Sequence, residues 1–197
     1  SLDRTAFRQT LNGLLFDQEL PVKLNYSKSS VHMEEGMGAE EMMQTSIGHG
    51  KTQITPLHLN MLTCAIANDG ILQQPYVVDH VENSNGAVLK RFSSPGTTEM
   101  MTQQEAYILQ GLMREVVETG TATRLQRCPY TAAGKTGSAE YNSDRDSHAW
   151  FTGYAPAEDP QICVTVIIEG AGSGGDYAVP IARRVFDAYF DAADGEN

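Results

Sequence analysis

The chain has 197 residues and a mass of 21.5 kDa, the size of one ordinary domain. Hydrophobic residues at 41% and charged residues at 20% are globular proportions and exclude disordered and collagen-like chains. Lys and Arg total 14 against 25 Asp and Glu, a net charge of −11, so no global field draws the chain onto nucleic acid or an anionic bilayer. There is no run of about eighteen apolar residues to make a membrane span. Cys64, Cys128 and Cys163 are odd in number and scattered, which defines neither a disulfide framework nor a CxxC metal site. The first residue is Ser1 rather than Met, as in a processed chain or a piece of a longer one.

In chain order, a short helix is expected from Asp3 to about Phe16. Residues 32–45 then carry four methionines among glutamates and glycines, which reads as adaptable packing because one His at irregular spacing makes no copper ligand set. Thr55 caps a buried helix with Pro56 in its first turn, and Asp69-Gly70 ends it. Strands over Tyr76–Val81 and Ala87–Phe92 are joined through Asn85-Gly86, a hairpin signal. Thr102 and Glu105 form a capping box, after which Leu109, Leu112, Met113 and Val116 make the inner stripe of a helix ending near Gly120. His148–Tyr154 and Ile162–Ile168 are strands, and a last helix places Ala182, Val185, Phe186 and Tyr189 inward. The whole reads as one α+β unit.

Three glycine-bearing motifs compete for chemistry. Gly134-Lys135-Thr136 and Gly50-Lys51-Thr52 resemble the end of a phosphate loop, but Pro129 and Thr45 stand where its first glycine belongs. Gly170, Gly172 and Gly175 fit G-x-G-x-x-G, yet no second strand follows, which favours a plain strand-to-helix connection. The specific signal is Lys135-Thr136-Gly137-Ser138. Gly137 lets a peptide-like substrate approach the backbone, and Lys135 brings a positive charge. Thr136 and Ser138 offer hydroxyls to a carboxylate, and the Ser138 N–H suits half of an oxyanion hole.

Further segments accompany this motif in order: Thr45-Ser-Ile-Gly-His-Gly50 with Ile54-Thr-Pro-Leu-His-Leu59, then Met113–Ala122, then His148-Ala-Trp-Phe-Thr-Gly-Tyr-Ala-Pro156. Together they resemble the C-terminal portion of the transpeptidase domain of class B penicillin-binding proteins, over roughly Ala6 to Phe190. The resemblance implies an antiparallel β-sheet flanked by helices, of the β-lactamase/transpeptidase type. It also implies a parent D,D-transpeptidase that cross-links peptidoglycan stem peptides through a serine acyl-enzyme, at the extracytoplasmic face of the bacterial membrane. Its partners would be the D-Ala-D-Ala end of the stem peptide and β-lactams, with no metal or organic cofactor and no nucleic acid.

The family's nucleophile lies in S-x-x-K, and no serine here has Lys three positions later; no S-x-N element is present either. Residues 1–197 are therefore expected to form the C-terminal part of one transpeptidase domain, with the N-terminal strands and the S-x-x-K lobe elsewhere. Lys135, Thr136, Gly137 and Ser138 are its substrate-binding and oxyanion residues, and the chain alone is expected to be inactive. An unfinished sheet edge would favour the missing part of the domain or an edge-strand dimer. The alternatives left open are a serine β-lactamase or penicillin-sensing domain of the same fold, and a non-catalytic cell-wall binding domain. His49 and His148 read as structural, Trp150 as packing, and Asp144, Arg145 and Asp146 as a solvated loop.

Overall fold

A computed structural model describes residues 3–34, 36–140 and 146–195, the side chains only as far as Asp191. The helices are α1 (Arg4–Gly13), α2 (Ala39–Ser46), α3 (Pro56–Ala67), α4 (Gln103–Glu118) and α5 (Val179–Gly195). The strands are β1 (Ile71–Gln73), β2 (His80–Glu82), β3 (Val88–Arg91), β4 (Thr97–Glu99), β5 (Ala133–Ala139), β6 (His148–Ala155) and β7 (Ile162–Ile168). The main sheet is antiparallel in the order β5-β6-β7, with β1-β4 and β2-β3 as two small antiparallel ribbons. Among the described residues, no helix is long and apolar enough to cross a membrane.

The alternation of β7 decides the layering. Val164 faces a core built with Phe151 of β6 and Val179, Ala182 and Phe186 of α5, and Ile162, Val166 and Ile168 pack against the same cluster. The opposite face, with Thr152 of β6 and Cys163 and Thr165 of β7, receives α3. Thr63 Oγ1 lies 2.6 Å from Thr152 Oγ1, which lies 2.7 Å from Thr165 Oγ1, and Asn60 Nδ2 donates to Thr165 Oγ1 at 3.2 Å. A hydroxyl both donates and accepts, so this row satisfies itself in the interface without water.

The helix ends follow their caps. Thr55 Oγ1 accepts from the His58 N–H with Pro56 at the start of α3, and Thr102 with Glu105 closes both halves of a capping box on α4. At the end of α3 the chain turns left-handed one residue earlier than expected, at Asp69 (φ 54°) and again at Gly70 (φ 92°). A Cβ on Gly70 would stand 2.2 Å from the Met101 carbonyl oxygen, so glycine is required twice over, by φ and by space.

His58 is fully buried beside Phe16, ring centroids 5.0 Å apart, and its Nε2–H donates to the Leu14 carbonyl at 2.8 Å. Burial holds its pKa below the ordinary 6.5. The unfolded chain therefore binds a proton here before the folded chain does, and stability falls as pH drops below about 6.5. His58→Gln is expected to flatten that acid limb of stability against pH, measured by urea unfolding between neutral pH and pH 5; an unchanged limb would assign the acid sensitivity to other groups.

The structure also departs from the sequence reading in detail. The hairpin strands are shorter than expected, Asn83 Oδ1 bracing the turn by accepting from the Asn85 and Ala87 N–H groups. In α5, Val179, Ala182 and Phe186 are buried while Val185 and Tyr189 face outward. β1 and β4 were not expected, because Thr-Thr-Glu carries no apolar alternation.

Candidate active-site cleft

A cleft of about 1050 Å³ opens between α3, α4, β5 and the segment around residues 47–54. Its walls are Leu59, Leu62 and Ile66 of α3 and Leu109, Leu112 and Val116 of α4. Leu112 is 59% exposed. The expected inner stripe of α4 borders the cleft: Met113 is buried, Leu109 and Val116 are half-buried with Val116 also packed on the main core, and Leu112 is open. An apolar surface of this kind on two neighbouring helices is a surface built to be covered.

One rim of the cleft is β5. Lys135, Thr136, Gly137 and Ser138 all border the cleft, so the structure brings the whole motif to one place. β5 pairs with β6 on one side only, Lys135 opposite Thr152 and Gly137 opposite Trp150, and its other edge is free among the described residues. Lys135 is exposed, and its Nζ donates to the Thr136 carbonyl oxygen at 2.6 Å. A Cβ on Gly137 would stand 3.3 Å from the Trp150 side chain.

The two hydroxyls differ in their surroundings. Thr136 is buried, with its Oγ1 2.5 Å from Thr121 Oγ1 in the turn after α4. Ser138 is exposed and accepts from the Gly174 N–H at 3.4 Å. Sequence reasoning did not single out Thr121 or Gly174, although Thr121 lies in Met113–Ala122 and Gly174 in the run of glycines after β7. Gly170 (φ 61°) and Gly172 (φ 95°) turn the chain back, and Gly174 begins a single wide turn that leads into α5. A Cβ on Gly174 would stand 2.3 Å from the Trp150 carbonyl oxygen and 2.5 Å from that of Gly137, so the turn packs directly on β5. Of the G-x-G-x-x-G match, Gly170 and Gly172 make the turn, and Gly175 packs close, its Cβ position 2.6 Å from the Thr121 carbonyl oxygen.

Thr121→Val is expected to leave the buried Thr136 hydroxyl without its partner and to destabilise the fold by about 1–3 kcal/mol. Equilibrium unfolding checks this; a change under 0.5 kcal/mol would show that Thr136 finds another partner.

Of the remaining residues named from sequence, His49 lines the cleft on its exposed segment and Trp150 lines it half-buried. His148, at the far end of β6, accepts from the Gly170 N–H through Nδ1 at 3.0 Å. Asp146 is exposed; Asp144 and Arg145 lie outside the described residues. Among the described residues, no group of three or more His, Cys, Asp or Glu could hold a metal ion.

The lysine-threonine-glycine edge strand stands over a cleft walled by apolar helix faces, and comparison with known proteins gives its family. The penicillin binding protein transpeptidase domain model matches residues 1–187, and the chain belongs to that family. Among its relatives, peptidoglycan D,D-transpeptidase MrdA of Haemophilus influenzae is 30% identical over 171 residues, covering 77% of this chain and 26% of that protein. Peptidoglycan D,D-transpeptidase PbpA of Mycolicibacterium smegmatis is 32% identical, over 76% of this chain and 32% of that protein. The chain thus spans about a quarter to a third of the length of these relatives. Among solved structures, the imipenem acyl-enzyme complex of penicillin-binding protein A from M. tuberculosis superposes with a TM-score of 0.81 at 28% identity, covering 94% of this chain and 42% of that one. Its penicillin G acyl-enzyme complex superposes with a TM-score of 0.79, also at 28% identity, over 95% of this chain and 43% of that one.

Proposed function

We propose that residues 1–197 form the C-terminal part of one transpeptidase domain in a membrane-anchored D,D-transpeptidase. Its site would face the outside of the cytoplasmic membrane, where peptidoglycan stem peptides are cross-linked. The observation that carries this reading is the cleft itself: the proposed substrate strand β5 stands at its rim, and the opposing helix faces are apolar, with Leu112 open to it. The upstream part of the domain, bearing S-x-x-K, seats on Leu59, Leu62, Leu112 and Val116 and brings its serine within reach of Lys135.

In the assembled site the serine hydroxyl attacks the carbonyl of the penultimate D-Ala. The tetrahedral oxyanion is held by backbone N–H groups, that of Ser138 among them, and D-alanine leaves. The amine of a second stem peptide then attacks the acyl-enzyme and completes the cross-link. Lys135 contributes positive charge beside the serine and the terminal carboxylate, and the Thr136 and Ser138 hydroxyls orient that carboxylate. A β-lactam presents the same carbonyl in a ring, and its opened amine stays attached, so the acyl-enzyme persists.

The test is the full-length protein with a peptide ending in D-Ala-D-Ala and an acceptor amine. The expected result is release of D-alanine with formation of the transpeptidation product, both blocked by benzylpenicillin. Rapid catalytic hydrolysis of benzylpenicillin would instead make the protein a β-lactamase, and failure to acylate at all would make it a binder.

A further inference from the structure

We propose that Cys64 of α3 and Cys163 of β7 form an oxidisable dithiol, a disulfide site that fastens the wall of the cleft to the sheet. The cysteines lie far apart in sequence and all three are free thiols here. The fold nevertheless sets two of them on one interface. Asn60 of α3 already donates to Thr165 of β7. Moving four residues along the helix to Cys64 advances about 6.0 Å. Moving two residues back along the strand to Cys163 covers about 6.6 Å and keeps the same face. The second pair therefore forms a rung beside the first, and Ile66 and Ala67 of the same helix pack with Cys163 against one cluster. Cys64 Sγ also donates to Asn60 Oδ1 at 3.7 Å, linking the two rungs.

The pair is asymmetric. The neighbouring Cys163 thiol holds Cys64 below its ordinary range, while its own neighbour and burial push Cys163 up. Both side chains remain partly accessible. The exchange balances from either side: with Cys64 as the attacking thiolate, it displaces one thiolate from a small-molecule disulfide, giving a mixed disulfide on Cys64. Cys163 loses its proton and attacks the Cys64 sulfur, displacing the second thiolate. The protein loses two electrons and two protons, and the oxidant leaves as two thiols. The same helix carries Leu62, Thr63 and Ile66 into the cleft wall, so the link ties that wall to β7. This inference stands on the α3–β7 contact and does not depend on the transpeptidase reading.

The test is a non-reducing peptide map of the full-length protein after treatment with oxidised glutathione and then iodoacetamide under denaturing conditions. The expected product is a cross-linked peptide pair containing Cys64 and Cys163, two hydrogens lighter than the separate peptides and reversed by dithiothreitol, with Cys128 outside it. The oxidised form is expected to melt about 5 °C or more above the reduced form, a shift that Cys64→Ser and Cys163→Ser each abolish. Recovery of Cys64 and Cys163 as two alkylated thiols, or as two separate glutathione adducts, would overturn the proposal without any appeal to the variants.

Discussion

Lys135→Ala in the full-length protein is expected to slow acylation by benzylpenicillin about 10²–10³-fold, the size of effect seen when one preorganised electrostatic partner of an acyl-transfer site is removed. The fold should hardly notice. Lys135 is exposed on an edge strand and its Nζ bonds a neighbouring carbonyl, so unfolding stability should move by less than about 0.5 kcal/mol. Lys135→Arg keeps the charge but replaces a compact ammonium with a planar fork, and partial activity is expected. The measurement is the second-order rate of labelling by a fluorescent penicillin. A Lys135→Ala protein labelled at the wild-type rate would remove Lys135 from the site.

The second large effect is predicted at a residue that touches no ligand. Gly174 lies against the backbone of both Gly137 and Trp150, closer than any Cβ can stand. Gly174→Val must therefore push the turn away from β5 or bend β5 itself, with a cost of about 2–4 kcal/mol from overpacking. With β5 as the proposed substrate strand, a displacement of even 1 Å is expected to lower the acylation rate by about 10²-fold in the molecules that remain folded. Thermal melting and labelling of the folded fraction separate the two effects. A variant that melts early but labels at the normal rate would show that the turn supports the sheet without positioning the motif.

Much of the molecule was legible because its signals are local. The capping box of Thr102 and Glu105, the Thr55-Pro56 start and the alternation of β7 each depend on neighbours in sequence, and each appears in the structure. The motif at Lys135–Ser138 was legible for the same reason. What could not be read are relations between distant segments. The bond between Thr121 and Thr136, the pressure of Gly174 on Gly137 and the proximity of Cys64 to Cys163 arise only when strands and helices are stacked. The α4 stripe shows a subtler limit. Period 3.6 correctly marked Leu109, Leu112 and Val116 as apolar, but periodicity cannot tell a face that is covered from one that lines a cleft.

The central claim is that this chain supplies the substrate strand and that the nucleophile sits on another part of the same domain. The most direct test is peptide mapping of the full-length protein after treatment with benzylpenicillin. The predicted result is one stoichiometric adduct, on a serine followed three residues later by lysine and lying outside residues 1–197, together with no adduct on residues 1–197 expressed alone. A stable adduct on any serine within residues 1–197 would contradict the account.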